Sequence, residues 1–141
     1  MSDLPFLQAT LKETLRFRPP GPLSIPHVTT EDVQVGGYFI PKGTITHHNI
    51  WAANYNEQDW KEPYEYIPER FLGVEKENLM LVFGTGIREC IGMNFGKQLL
   101  NMVLPQIFSK FKFRSNKMIE LMPIFGLTYN PRPQKITVEL R

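Results

Sequence analysis

A single cysteine, Cys90, stands in these 141 residues. That scarcity excludes an internal disulfide framework, a zinc site made of several thiolates, and an iron–sulfur cluster held by this chain alone. Long apolar runs are missing too: no window approaches the about 18 consecutive apolar residues of a membrane span. The opening Met-Ser-Asp-Leu-Pro-Phe has no charged stretch followed by an apolar one, so no secretory signal is read there. Nor is there an excess of one charge. Sixteen basic residues face 14 acidic ones, for a formal net charge of +2, and no basic tract argues for a nucleic-acid partner.

What is present points to one folded unit. The chain is 42% hydrophobic, with ten Phe, five Tyr and two Trp, a composition that disfavours disorder. Its length suits one domain of roughly 100–200 residues with a core of its own. Twelve prolines are well above the about seven expected from average usage, so helix cannot run through most of the chain. The expected class is mostly α with small antiparallel β elements, an α+β arrangement.

Residues 3–17 read as a helix, with Asp3 as N-cap, Pro5 in the first turn and Leu7, Leu11 and Leu15 on one stripe. Glu13 and Arg16, three apart, share another face. Pro19, Pro20, Gly21 and Pro22 end the helix. Residues 28–51 read as a small antiparallel sheet, with turns at Gly36-Gly37 and Pro41-Lys42-Gly43. On a strand the adjacent His47 and His48 face opposite sides and cannot share an ion. Residues 54–82 form a long meander, of a length that is usually functional.

A second helix is expected over 91–111, with Leu99, Val103, Ile107 and Phe111 as its core stripe, Leu100, Leu104 and Phe108 beside it, and a kink at Pro105. The tail, 118–140, reads as a hairpin of Leu121–Tyr129 with Ile136–Leu140. No internal repeat or low-complexity tract is present.

The loop 83–92 carries the chemistry. By itself a lone cysteine is a buried inert thiol, a nucleophile, or a single axial thiolate to a metal cofactor. Gly84 and Gly86 permit sharp turns and close approach to a flat ligand. Cys90, at the start of a helix, has the positive end of the helix dipole beside it, which favours a thiolate. Gly92 removes a side chain from the face nearest the sulfur, and Arg88 offers a forked cation to a carboxylate. A thiolate, a close planar partner and a carboxylate clamp describe an iron porphyrin with propionates.

The segment matches the pattern F-x-x-G-x-R-x-C-x-G at Phe83, Gly86, Arg88, Cys90 and Gly92, and so resembles the haem-binding signature of the cytochrome P450 superfamily. Two further motifs of that family follow the same order. Glu13-Thr14-Leu15-Arg16 resembles the E-x-x-R of its K helix, and Pro68-Glu69-Arg70-Phe71 resembles the P-E-R-F of its meander.

The resemblance implies a haem-thiolate monooxygenase, inserting one oxygen atom of dioxygen into a small organic substrate with electrons from a flavoprotein reductase. Haem (iron protoporphyrin IX) would bind through the Cys90 thiolate, with Arg88 and His27 on its propionates and Phe83 beside the porphyrin. Glu13, Arg16 and Arg70 would fasten helix to meander as a buried triad. Lys97, Lys110 and Lys112 would offer a basic face to the electron donor. Val82 stands where the family often has proline, and Leu99 where it often has an acidic residue.

The likeness reaches only the C-terminal third of a family member, the incomplete haem-binding part of the fold. The expectation is thus a truncated product or incomplete gene model, without a membrane anchor, most substrate-recognition segments or the central oxygen-activation helix. Full-length relatives of this kind sit on the endoplasmic reticulum membrane. Two other classes stand beside this one. One is a catalytically silent fragment or pseudogene product with no bound haem. The other is a cysteine hydrolase using Cys90 and a histidine, for which the loop 83–92 supplies no base.

Overall fold

The computed structural model describes residues 4–73, 81–124, 126 and 128–141. Helix α1 spans Pro5–Phe17. Pro5 occupies its first turn, where a missing N–H costs nothing, and Leu4 is the N-cap without a side-chain bond. Asp3, expected to cap this helix, lies outside the described residues. The Arg18 N–H closes the other end on the Thr14 carbonyl at 2.9 Å before Pro19 and Pro20 stop it.

The face of α1 that is fully buried is not the leucine stripe. Ala9, Glu13 and Arg16 are buried, whereas Leu7, Leu11 and Leu15 are half-buried. A three-residue pair of opposite charge outranks the apolar repeat here because its polar atoms all find partners, as shown below.

Residues 28–51 do not form one sheet. Strand β1 (His27–Val28) pairs antiparallel with β4 (Ile45–Thr46), and β2 (Val33–Val35) pairs antiparallel with β3 (Tyr38–Ile40). Gly36 and Gly37 connect β2 to β3 with φ of 57° and 85°, the left-handed pair that a two-residue hairpin turn requires. Nor does extended chain reach residue 51: the strand ends at Thr46 and helix α2 takes Ile50–Asn54. The Asn49 side chain caps α2 by accepting the Ala52 N–H at 2.9 Å, an N-cap that β-branched composition obscured.

Within the meander the residues Pro68–Phe71 make a single tight helical turn, and residues 74–80 lie outside the described set. Helix α3 covers Met93–Lys110, starting two residues later than expected, and it runs on through Pro105 rather than breaking there. Phe111 is not helical: it opens strand β5 (Phe111–Arg114), which pairs with β6 (Thr137–Leu140). Among the described residues, the expected partner of the terminal strand, Leu121–Tyr129, does not pair with it; Ile124 instead bridges Asn130. The intervening prolines Pro131 and Pro133 lack the N–H groups a ladder needs.

Burial is uneven. Ala9, Trp60 and Phe71 form the apolar cluster, and among the described residues every buried one lies between Ala9 and Phe71. Trp60 packs on Phe71 with ring centroids 5.8 Å apart and donates Nε1–H to the Ala53 carbonyl at 3.1 Å. Helix α3 has no buried residue. Leu99 and Val103 are exposed, so the expected core stripe is not a core here. The less exposed face holds Met93, Leu100, Leu104 and Ile107 instead.

Tyr55 locks α2 to the end of α1. Its hydroxyl donates to the Phe17 carbonyl at 2.6 Å and accepts from Arg18 Nη1 at 2.6 Å. Burial pushes its phenol above the ordinary value, against the pull of Arg18 and Arg16. The unfolded chain therefore loses this proton first as pH rises. The stabilisation is complete below about pH 10 and is lost as pH climbs through the raised folded value. Tyr55→Phe is expected to flatten the fall of thermal stability above pH 10, followed by circular dichroism; an unaltered pH profile would contradict the assignment.

Candidate functional site

Two assemblies hold the residues singled out from sequence. The first joins α1 to the meander. Glu13 is fully buried, and its carboxylate accepts from Arg16 Nε at 2.8 Å and Nη2 at 2.9 Å, from the Ile67 N–H at 2.9 Å, and from Arg70 Nε at 3.3 Å.

Arg16 is as deeply buried, and all five of its N–H donors have partners. Beyond Glu13, Nη1 reaches the carbonyls of Asn54 (2.7 Å) and Pro63 (2.9 Å), and Nη2 that of Glu65 (3.2 Å). Arg70 spends its other donors on the carbonyls of Lys61 (2.6 Å), Glu62 (3.1 Å) and Glu65 (3.3 Å). A buried charge is tolerable only with this degree of pairing and hydrogen bonding.

Asn54 was missed from sequence. It is fully buried, and its Nδ2 donates to the Arg16 carbonyl at 2.9 Å, so the two residues exchange bonds. Trp60 also stands over the guanidinium of Arg16, at 5.3 Å from ring centre to Cζ, a cation–π contact. No local pattern in the sequence marks either partner.

The second assembly is the cysteine loop. The Cys90 N–H donates to the Phe83 carbonyl at 2.8 Å, closing residues 83–90 into a ring. Inside it, Gly86–Arg88 make one tight turn. Gly84 has φ of 74°, and a Cβ there would sit 3.8 Å from the Arg88 carbonyl oxygen. The left-handed backbone, not crowding, is what calls for glycine at 84.

Cys90 is exposed and does not begin the helix. Its carbonyl accepts the Met93 N–H at 3.1 Å, and Gly92 is the N-cap of α3. The dipole argument for a thiolate is correspondingly weaker than expected, since the effect fades beyond the first turn. A Cβ at Gly92 would lie 3.9 Å from the Cys90 sulfur, so glycine keeps the flank of that sulfur open. Ile87 and Ile91 on either side are fully exposed. Arg88 is exposed as well. Phe83 lies under the Lys97 ammonium, 5.7 Å from its ring centre.

His27 lies on β1, with its ring against His48. A cleft of about 420 Å³ opens between α1, the cysteine loop and α3, lined by Leu11, Leu15, Phe83, Met93, Lys97 and Leu100 among others. Cys90 does not line it. Leu11 and Leu15 of the α1 stripe thus face this cleft, while Cys90 is exposed.

No group of three or more His, Cys, Asp or Glu able to hold a metal exists among the described residues. A lone exposed sulfur flanked by apolar side chains cannot furnish a full coordination shell. It fits a metal that arrives with its equatorial ligands already in place, as an iron porphyrin does. Among the described residues, no helix is long and apolar enough to cross a membrane.

Known proteins resemble this chain over nearly all of its length. The family model "Cytochrome P450" matches residues 1–138. The steroid 17-alpha-hydroxylase/17,20 lyase of Ictalurus punctatus is 36% identical, over 99% of this chain and 29% of its own length. Probable cytochrome P450 513A1 of Dictyostelium discoideum is 37% identical, over 97% of this chain and 28% of its own. A zebra fish cytochrome P450 solved with progesterone superposes with a TM-score of 0.91 at 35% identity, covering 98% of this chain and 32% of that one. The chain therefore spans about a third or less of the length of these relatives.

Proposed function

Because this chain belongs to the cytochrome P450 family, we propose that it is the haem-binding region of a monooxygenase that inserts one atom of dioxygen into a small organic substrate. The observation that carries this reading is the Cys90 sulfur, exposed on a hydrogen-bonded loop with its flank kept clear by Gly92. Haem, when bound there, supplies oxygen activation, which a thiolate ligand promotes by pushing electron density towards the iron.

The residues of the chain have separate tasks in this reading. Cys90 is the proximal ligand. Gly86 shapes the turn that presents the sulfur, and Gly92 lets the macrocycle approach. Arg88, an exposed guanidinium, pairs with one propionate through charge-assisted bonds, and His27 serves the second. Phe83, whose carbonyl ties down the Cys90 N–H, would pack beside the porphyrin. Glu13, Arg16 and Arg70 never touch the cofactor; they hold the α1–meander frame beneath it. The electron donor is a flavoprotein reductase, with Lys97, Lys110 and Lys112 as the cations that attract it.

The test is a haem titration of the purified chain followed by reduction and addition of carbon monoxide. The expected result is the red-shifted Soret band of thiolate ligation, absent from Cys90→Ala. A band that persists in Cys90→Ala would overturn the ligand assignment. Failure of the natural chain to bind haem would favour the alternative, a catalytically silent chain.

A further inference from the structure

The ring of His27 faces the ring of His48. Their centroids are 5.1 Å apart and their planes are tilted by 48°. Reading His47 with His48 as neighbours on one strand obscured this, because β4 ends at Thr46. The ladder brings the two close: His27 is opposite Thr46, two residues before His48.

The segment after β4 is held from a second direction. The His48 N–H donates to Ser24 Oγ at 3.2 Å, and His47 Nδ1 lies 3.3 Å from the Leu23 carbonyl. Ser24 has φ of 57°, a left-handed backbone that non-glycine residues seldom adopt and that persists only where the surroundings impose it. The turn is therefore spent on placing residues 47 and 48.

Imidazole nitrogens bind zinc at about 2.0–2.1 Å, and two of them at a near-tetrahedral angle put their ring centres about 5 Å apart. The observed centroid separation of 5.1 Å agrees with that figure. We propose that His27 and His48 form a two-imidazole site for a divalent late transition-metal ion of the Ni, Cu or Zn class, completed by water. Imidazole suits these ions, whereas hard cations such as Mg and Ca favour oxygen ligands. His27 is half-buried and His48 exposed, so water and the ion reach the site freely. Two protein ligands make it an exchangeable site rather than a structural one, since structural zinc sites close with four.

The inference stands independently of the haem reading. Where His27 also serves a propionate, the ion and the cofactor compete for one ring, and metal then lowers haem affinity. The direct test is calorimetric titration of the haem-free chain with Ni²⁺. Saturable one-to-one binding is expected, unchanged in His47→Ala and weakened about tenfold or more in His48→Ala. No saturable binding, binding that survives His48→Ala, or equal loss in His47→Ala would overturn the site. Because His48 is exposed, its replacement leaves the fold intact, and circular dichroism of each variant verifies this.

Discussion

Replacing Arg16 with alanine is expected to lower the stability of the chain by about 3–5 kcal/mol, the usual cost of stranding one partner of a buried ion pair. The change leaves the Glu13 carboxylate with Arg70 as its remaining cation and removes the donors serving the carbonyls of Asn54, Pro63 and Glu65. Urea unfolding followed by circular dichroism measures it. Because whole domains typically hold only about 5–15 kcal/mol, the variant should be largely unfolded at modest denaturant.

Arg16→Lys is expected to recover little, since an ammonium has three donors and no planar fork where five directed bonds are made. The double change Glu13→Leu with Arg16→Met distinguishes charge from architecture. An apolar swap often restores the stability lost by breaking a buried pair, but here it would still orphan the carbonyls of Asn54 and Pro63, while Glu65 keeps its bond from Arg70. Full recovery in the double variant would show that those main-chain bonds contribute nothing.

The second large effect belongs to Trp60. It is 1% exposed, packs on Phe71 and spans the guanidinium of Arg16. Trp60→Ala is expected to cost about 3–5 kcal/mol from lost burial and the cavity left behind. Trp60→Phe should cost less, keeping most of the apolar contact and losing the bond from Nε1 to the Ala53 carbonyl. The two effects should not add, because the side chains share a contact. A loss below about 1 kcal/mol for Trp60→Ala would remove it from the core.

Much of the frame was legible because it is written in side chains at fixed offsets. Glu13 and Arg16 sit one helical turn apart, and the cysteine loop declares itself by glycines that only a left-handed backbone requires. What stayed hidden is written in main chain. The carbonyls that satisfy Arg16 and Arg70 belong to Asn54, Lys61, Glu62, Pro63 and Glu65, and a carbonyl is common to every residue, so no letter marks it.

Pairing over long separations was hidden for a related reason. Thr137–Leu140 joins Phe111–Arg114 rather than its nearer neighbours, and alternation alone cannot name a partner. Helix α3 misled the apolar count in the opposite direction. Phe95, Leu99, Met102 and Val103 repeat as a buried face would, yet they are exposed.

The unevenness of burial has an energetic consequence for the sulfur-bearing half. Among the described residues every buried one belongs to 9–71, so the stretch from the cysteine loop onward draws little free energy of its own from burial. A haem bound at Cys90, as proposed, would add apolar contact that this half lacks and so stabilise it. Occupancy and order in that half would then rise together, with the ligand acting as the missing portion of the core.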